Sequence, residues 1–304
     1  MNIEIIQQKL LEKVHIDHLR INEYMSKHTS FKIGGPADIM VLPATLEELR
    51  HALVTCKEYS IPYQIIGNGS NLLVRDKGIR GVVIKIAENF NAVKIEGNIV
   101  KAQAGILLST LSKKIMEYAL EGFEFASGIP GTLGGAVAMN AGAYGGEMKD
   151  VLRGAALMDD RGNVVYLDKD ALELDYRNSI VLKKGYIVLE AEIALQPGDI
   201  KKVKEITDDL TYKRTSKQPL HLPSAGSTFK RPPGYFAGKL IEDSGLKGVR
   251  VGDAQVSDLH SGFIVNVGKA TAEDVLNLVG LVQKVVRDKF GVDLHPEVRI
   301  IGEE

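Results

Sequence analysis

Residues 125–146 form 22 consecutive positions without a charge, and this segment restricts the possible folds more than any other. Its length and neutrality match a membrane-spanning helix. Its seven glycines and Pro130 rule that helix out, because they leave too little apolar area and interrupt helical bonding. Glycine also lacks the Cβ that keeps ligands away from the backbone. The segment therefore predicts main-chain binding of a diphosphate, and the alternative is a series of ordinary tight turns.

The composition is typical of a globular protein and excludes several functions. A chain of 304 residues is long enough for two or three domains, and its 44% hydrophobic and 25% charged content is ordinary. The net charge of −1 gives no overall attraction to nucleic acid or anionic membranes. The N-terminal sequence has no signal-peptide pattern, so we expect a cytoplasmic protein. The single cysteine, Cys56, excludes an internal disulfide and a cysteine zinc site, and we interpret it as a buried structural thiol rather than a nucleophile.

Hydrophobic periodicity and turn residues predict a mixture of strands and helices. Strands are predicted at residues 37–42, 63–66, 82–86, 186–195 and 298–301, and hairpins at 93–96 with 99–104 and at 155–159 with 164–167. Helices are predicted after the capping box at 45–48, at 106–120, at 199–212, and from the capping box at 271–274 to Gly291. No metal site is predicted.

A second glycine-rich motif directly follows the predicted strand at 63–66. It comprises Gly67, Asn68, Gly69, Ser70 and Asn71. It is not a P-loop, because no Gly-Lys-Ser/Thr follows, and the third glycine of the dinucleotide fingerprint is missing. Alone it is a weak signal. Together with the uncharged segment it indicates a dinucleotide whose diphosphate lies between both loops.

Cations are concentrated around residues 213–231 of an otherwise neutral chain. They are Lys213, Arg214, Lys217, Lys230 and Arg231. This concentration of cations has two possible explanations. They bind a multiply anionic substrate, or they are solvated lysines at the end of a helix. Taken singly, Arg177 is typical of a surface cation and Glu297 of a salt-bridge residue. The sequence around Ser227 is not Gly-x-Ser-x-Gly, so it does not predict a nucleophile elbow.

Seven motifs occur along the chain in the same order as in one protein family. They are GNGSN at 67–71, SGIPGTLGG at 127–135, NAGAYG at 140–145, YRNS at 176–179, AGSTFKRP at 225–232, AGKLIEDSGLKG at 237–248 and HPEVR at 295–299. Over about residues 22–302 the chain closely resembles the UDP-N-acetylenolpyruvoylglucosamine reductases, which act in bacterial peptidoglycan precursor synthesis. Only residues 180–185 separate YRNS from the next predicted strand. The chain therefore resembles the shorter type of this family, which lacks a loop insertion bearing a substrate-clamping tyrosine.

The resemblance implies an α+β fold in three domains. Residues 1–86 with 298–304, and residues 87–216, would form two subdomains of an FAD-binding fold of the vanillyl-alcohol-oxidase (PCMH) type. Residues 217–297 would form a C-terminal α+β substrate-binding domain.

The implied activity is NADPH-dependent, FAD-mediated reduction of the enolpyruvyl ether of UDP-N-acetylglucosamine enolpyruvate to UDP-N-acetylmuramate. The resemblance also implies roles in cell-wall biogenesis, cell shape and cell division, and a monomer or weak dimer. Neither nucleic acid binding nor membrane insertion is expected.

The resemblance also assigns residues to roles. Ser227 is the expected proton donor, Arg177 is expected to bind the substrate carboxylate, and Glu297 contributes if it is protonated or orients another donor. Expected substrate contacts are Tyr176, Arg214, Lys217 and Arg231. Expected cofactor contacts are Gly67, Asn68, Gly69, Ser70, Asn71, Ser127, Gly128, Ile129, Pro130, Gly131, Thr132, Gly134, Gly135, Asn140, Gly142, Ala143 and Tyr144.

Two other classes of function remain open. Another flavin oxidoreductase of the same fold would keep the FAD loops without needing Ser227, Arg177 and Glu297. A non-enzymatic module that binds flavin or a nucleotide sugar would show no turnover.

Overall fold

The computed structural model describes residues 3–304, which divide into two compact units. The first unit consists of residues 3–21, Ile39–Asn68 and Gly81–Arg214, and the second consists of Asn22–Asp38, Gly69–Arg80 and Thr215–Glu304. Each unit encloses its own cluster of buried apolar side chains. The division into three domains implied by the resemblance differs from this division into units and stays a prediction.

An antiparallel five-stranded sheet forms the centre of the first unit. Its strands, in spatial order, are Val164–Asp168, Leu152–Met158, Ile187–Ala194, Ile99–Gln103 and Val93–Glu96. A four-stranded sheet has the order Leu19–Tyr24, Pro36–Val41, Ile79–Lys85 and Tyr63–Ile66, with the last two strands parallel. Short strand pairs join Gly142–Ala143 to Gly146–Glu147 and Leu120–Glu121 to Gln196–Pro197. Both predicted hairpins and the strand at 63–66 are thereby confirmed.

Helices of the first unit cover these sheets or shape the loops between them. They are Ile3–Leu10, Leu46–Glu58, Leu108–Glu117, Leu133–Ala138, Met148–Val151 and Ile180–Lys184, with single 3₁₀ turns at Ile16–His18 and Glu124–Ala126. Helix Ile180–Lys184 fills the interval before strand Ile187–Ala194, so no longer insertion stands there. Cys56 is buried on Leu46–Glu58, as predicted, and burial raises the pKa of its thiol to about 12.

The second unit combines a small antiparallel sheet with two helices. The sheet order is Ser224–Ser227, Phe263–Asn266, Ala254–Val256 and Arg250–Val251, and the helices are Ala237–Asp243 and Ala272–Phe290. A 3₁₀ turn lies at Met25–Lys27, and the last strand, Arg299–Ile301, pairs in parallel with Leu72–Val74. Among residues 3–304, no helix combines the length and apolarity that crossing a membrane requires.

Two helix ends differ from the prediction. Helix Ile200–Lys217 continues five residues beyond the predicted end at 212, because no glycine or proline interrupts the chain before Pro219. Its last residues therefore place Arg214 and Lys217 on a helix rather than in a loop. The helix predicted at 106–120 ends at Glu117, because Ala119 adopts a left-handed conformation with φ 52°.

The two predicted capping boxes behave differently. Thr271 and Asp274 exchange two hydrogen bonds of 3.0 Å, and Gly291 ends helix Ala272–Phe290 with φ 67°, as predicted. Thr45 also accepts a bond from the N–H of Glu48, at 3.1 Å. The carboxylate of Glu48, however, accepts from the N–H groups of residues 44 and 15 instead of from Thr45. The reciprocal half of that predicted box is wrong, because Glu48 holds the preceding chain segment.

Candidate active-site residues

The first unit brings the two glycine-rich segments into contact. Gly67 directly follows strand Tyr63–Ile66, and a Cβ on Gly67 would overlap Oγ1 of Thr132. Thr132 is buried, with 2% of its surface exposed, so it has little room to move away. Any side chain at position 67 would therefore push the two loops apart.

Main-chain bonds hold the uncharged segment against the chain that follows strand Ile99–Gln103. The N–H groups of Leu133 and Gly134 donate to the carbonyl oxygens of Ile106 at 2.9 Å and Ala104 at 2.8 Å. A Cβ on Gly134 would lie 2.9 Å from the Cβ of Ala104, so only glycine fits this close approach. The loop is consequently anchored to the sheet rather than free-standing.

Three main-chain N–H groups of this loop have no hydrogen-bond partner within residues 3–304. Among the hydrogen bonds of residues 3–304, none uses the N–H groups of Gly131, Thr132 or Gly135. Backbone N–H groups of folded proteins are almost always paired with protein or solvent, so donors concentrated in an uncharged loop suit an anion. The donor set therefore fits the diphosphate of FAD.

The beginning of the segment is a compact turn. The N–H groups of Ser127 and Ile129 donate to the carbonyl oxygens of Glu124 and Ala126, both at 3.1 Å. Ile129 packs against the core of the first unit, whereas Pro130 is exposed. Only part of this predicted cofactor loop is thus accessible.

The end of the segment is a two-residue hairpin. Gly142–Ala143 pairs with Gly146–Glu147, and the turn residues Tyr144 and Gly145 have φ values of 53° and 89°. Two successive positive φ values are the signature of a type I′ turn. This turn exposes 47% of Tyr144. Asn140, just before the hairpin, has no exposed surface, so we propose that it contributes to the site indirectly.

Arg177 lies at the tip of a tight turn in the first unit. Asp175 and Asn178 pair through two main-chain bonds of 3.0 Å, which leaves Tyr176 and Arg177 between them. Arg177 has φ 53°, an uncommon conformation for a residue other than glycine, and its guanidinium carbon lies 5.1 Å from the ring centroid of Tyr176. Such strain persists where the surrounding structure holds it, as is frequent at functional sites.

Arg214 is a desolvated cation beside the uncharged segment. A Cβ on Gly128 would lie 2.7 Å from Cδ of Arg214, so the arginine side chain occupies the space that this glycine leaves free. Burial lowers the pKa of the guanidinium, and nearby Tyr144 acts in the opposite direction. No hydrogen bond or ion pair within residues 3–304 uses this guanidinium. A half-buried cation of this kind gains stability from a bound anion.

In the second unit, Ser227 and Thr228 have opposite environments. The pairing of strand Ser224–Ser227 is irregular, and Gly226 has φ 77°, so the strand bends just before Ser227. Ser227 is exposed, and no hydrogen bond within residues 3–304 uses its hydroxyl. Thr228 is buried, and its hydroxyl oxygen accepts from the N–H of Ile264 at 3.0 Å. The hydroxyl of Thr228 therefore stabilises the fold, whereas the hydroxyl of Ser227 is available for another role.

Glu297 lies beside the segment that contains Ser227. Its N–H donates to the carbonyl oxygen of Thr228 at 2.8 Å. Its own carbonyl oxygen accepts from the side-chain amide of Asn71 at 3.1 Å, and the N–H of Arg299 donates to the carbonyl oxygen of Asn71. The second unit thus brings Asn71, Glu297 and the Ser227 segment together, although 226 positions separate Asn71 from Glu297.

Three other residues of the second unit were predicted to contact the cofactor or the substrate. Gly69 has φ 65°, and a Cβ there would overlap the carbonyl oxygen of His28. The guanidinium carbon of Arg231 lies 4.0 Å from the ring centroid of Phe236. Lys217 is exposed at the end of helix Ile200–Lys217. Gly67, Asn68, Tyr176, Arg177 and Arg214 belong to the first unit, and Gly69, Ser70, Asn71, Lys217, Ser227, Arg231 and Glu297 to the second.

Sequence reasoning missed residues that support these positions. The carbonyl oxygen of His28 lies beside Gly69, Glu147 accepts a bond from Asn140 of the NAGAYG motif, and Ser179 of the YRNS motif donates to Ala138. Ser179 was inside a quoted motif, but its spacing alone did not indicate a bond to Ala138. Within residues 3–304, no group of His, Cys, Asp and Glu side chains is arranged to hold a metal ion.

Comparisons with known proteins match both parts of the chain. An FAD binding domain model matches residues 37–168, and the model of the UDP-N-acetylenolpyruvoylglucosamine reductase C-terminal domain matches residues 218–301. These matches confirm the predicted α+β FAD-binding fold.

Relatives match over nearly the whole length. The chain is 66% identical to the UDP-N-acetylenolpyruvoylglucosamine reductase of Alkaliphilus oremlandii over 95% of each chain, and 60% identical to that of Alkaliphilus metalliredigens over 100% of each. A crystal structure of the corresponding reductase from Thermus caldophilus has a TM-score of 0.80 at 35% identity, covering 93% of this chain and 99% of that chain. The chain therefore belongs to the UDP-N-acetylenolpyruvoylglucosamine reductase family.

Proposed function

We propose that Ser227, Arg177 and Glu297 act in the reduction of UDP-N-acetylglucosamine enolpyruvate to UDP-N-acetylmuramate, with NADPH as reductant. The chain is an FAD-dependent oxidoreductase of this type. The observation that carries this function is the 60% identity to a named reductase over the full length of both chains. That match extends over 303 residues.

FAD fits the loops of the first unit. The free N–H groups of Gly131, Thr132 and Gly135 offer donors to a diphosphate, and no carboxylate interrupts residues 125–146. When bound, FAD accepts a hydride from NADPH and supplies one to the methylene carbon of the substrate. The protein contributes the geometry and the charge that this reduction needs.

The proposed residue roles follow from the charge that develops on the substrate. Addition of hydride to the methylene carbon leaves negative charge on the neighbouring carbon and its carboxylate, which requires fixed electrostatic stabilisation. Arg177 binds that carboxylate, and Glu297 orients or supplies a hydrogen bond beside it. The exposed hydroxyl of Ser227 then donates its proton to the carbon. Lys217 and Arg231 are assigned to the anionic groups of the sugar nucleotide.

An anaerobic two-step experiment tests the function. The purified protein with bound flavin is mixed with NADPH, and its visible absorbance should bleach. Addition of UDP-N-acetylglucosamine enolpyruvate should then restore the absorbance and yield UDP-N-acetylmuramate. Bleaching without recovery would indicate another flavin oxidoreductase, and a bound flavin that NADPH never bleaches would indicate a binding module.

The wider biological assignments extend this proposal. A product that enters peptidoglycan synthesis supports roles in cell-wall biogenesis, cell shape and cell division. We also assign the protein to the cytoplasm, where NADPH is available, as a monomer or weak dimer. Fractionation of the host cell and a measured molecular mass in solution test these two assignments.

The environment of Arg214 leads to a prediction about substrate affinity. Changing Arg214 to glutamine should raise the KM for the sugar nucleotide about tenfold or more, because hydrogen bonds to charged groups contribute about 1.5–3 kcal/mol. Steady-state kinetics with varied substrate measure this change. Lys213→Gln is the matched control, because it removes the same charge one residue away, from a lysine that forms a 2.6 Å ion pair with Asp209. Equal KM values for both variants would contradict the role of Arg214.

A further inference from the structure

The carboxamide of Asn140 joins three segments of the first unit. Its Nδ2 donates to Oε2 of Glu147 at 2.6 Å and to the carbonyl oxygen of Asp175 at 3.3 Å. Its Oδ1 accepts from the N–H of Lys149 at 2.9 Å. Asn140 is fully buried and has φ 42°. A buried amide whose donors and acceptor are all engaged acts inside the protein and offers nothing to a ligand.

The carbonyl group of Asp175 stands at the base of the turn that carries Arg177. It accepts from the N–H of Asn178 at 3.0 Å as well as from Asn140, so both lone pairs of this oxygen are used. Because the carbonyl belongs to the peptide that leads into Tyr176, its orientation determines the direction of the turn. The bond from Asn140 therefore restrains the backbone that presents Arg177.

A second bond restrains the other side of the same turn. Ser179 precedes helix Ile180–Lys184 at the position where serine normally accepts a bond from its own helix. Its hydroxyl instead donates to the carbonyl oxygen of Ala138 at 2.7 Å, and the residue is fully buried. Both Ala138 and Asn140 belong to the uncharged segment. The Arg177 turn is thus attached to that segment at both of its ends.

We infer that Asn140 and Ser179 are positioning residues for the reduction, because they hold the Arg177 turn in register with the loop assigned to FAD. This inference rests on the proposed function, in which Arg177 binds the substrate carboxylate. The competing interpretation is that Asn140 only stabilises the hairpin at residues 142–147. In that case its loss would affect flavin binding and flavin reduction as much as the reaction with substrate.

A double variant separates the two interpretations. Asn140→Asp combined with Glu147→Gln exchanges the donor and the acceptor of the hydrogen bond between these positions, because the introduced amide can donate to the introduced carboxylate. An acceptor for the N–H of Lys149 also remains. Glu147→Gln removes the negative charge that pairs with Lys149. Beyond that, the double variant loses the bond to the carbonyl oxygen of Asp175, since a carboxylate has no N–H to donate. Glu147→Gln alone is the matched control, because it leaves Asn140 and its bond to Asp175 in place.

We expect a selective effect on the second half-reaction. The double variant should bind FAD and be bleached by NADPH at nearly the wild-type rate. Its substrate-driven reoxidation should slow by about 10²-fold, the effect of displacing a positioned group by about 1 Å. The control variant should reoxidise normally. A parallel fall in flavin content and flavin reduction, or normal reoxidation of the double variant, would overturn the inference.

Coupling to Arg177 provides the decisive comparison. If Asn140 acts through Arg177, the same two changes should slow reoxidation by less than about threefold in an Arg177→Lys background, because the effects of coupled residues are not additive. An equal slowing in both backgrounds would contradict the inference. If Arg177→Lys itself reoxidises normally, the role of Arg177 fails and the inference fails with it.

Ser179→Ala tests the same attachment should the double variant not fold. This change removes only the bond to Ala138, and it should slow reoxidation by about tenfold or more while flavin reduction stays normal. If reoxidation of this variant also matches wild type, the attachment of the turn has no part in positioning Arg177.

Discussion

Changing Ser227 to alanine should leave flavin reduction by NADPH intact and slow substrate-driven reoxidation by about 10³-fold or more, since general acid catalysis contributes about 10²–10⁴-fold. The first half-reaction needs no proton from this serine, whereas the substrate carbon must gain one. The exposed hydroxyl of Ser227 is available, and the neighbouring Thr228 is buried and bonded to Ile264. Stopped-flow measurement of the two half-reactions separates these effects.

Ser227→Cys is the matched variant for this prediction. It keeps a transferable proton at the same position and should therefore retain more activity than alanine. If Ser227 only shapes the bend after Gly226, both variants should behave alike. An alanine variant that reoxidises within about tenfold of wild type, a loss of under roughly 1.4 kcal/mol, would remove Ser227 from the mechanism.

Local structure was predictable where periodicity and capping residues agree. Helix Ala272–Phe290 begins after Thr271 and ends at Gly291, because both of its ends have side chains or backbone conformations that stop it. The predicted end of the helix at 106–120 was wrong, because hydrophobic periodicity does not show pairing with a distant strand. Leu120–Glu121 leaves the helical pattern to pair with Gln196–Pro197, a partner about 75 positions along the chain.

In the candidate site, the motifs could be read from the sequence, whereas the surroundings of each side chain could not. The order of the motifs predicts which residues form the site, because glycine positions and their spacing can be read from the sequence. The orientation of Asn140 could not be read, because it depends on Glu147 and Asp175, which lie seven and 35 positions away. Arg214 appeared to be one cation among five. Its position beside Gly128 and its partial burial distinguish it from the other four, which are exposed.

Contact between the glycine-rich loops leads to the second large expected effect. Gly67→Ala should lower the affinity for FAD by about 10²-fold, because the new Cβ overlaps Oγ1 of buried Thr132 and displaces the loops that we propose bind the cofactor. Equilibrium binding of FAD to the deflavinated protein measures the loss. Gly145→Ala is a control at a glycine of the uncharged segment, which also contains Thr132, because a Cβ there meets no atom within 4 Å. Its positive φ of 89° predicts a loss of local stability instead.

A compensating change shows whether the overlap with Thr132 is the cause. Removing Oγ1 by Thr132→Ala leaves the Cβ of residue 132 at 3.5 Å from the added methyl group, an ordinary van der Waals distance. The double variant Gly67→Ala/Thr132→Ala should therefore bind FAD about as well as Thr132→Ala alone, an effect far from additive. If the double variant stays as weak as Gly67→Ala, the methyl group obstructs the cofactor itself, and Gly67 contacts FAD directly. If all three variants bind FAD as tightly as wild type, neither loop holds its diphosphate, and the cofactor site assigned to the first unit is wrong.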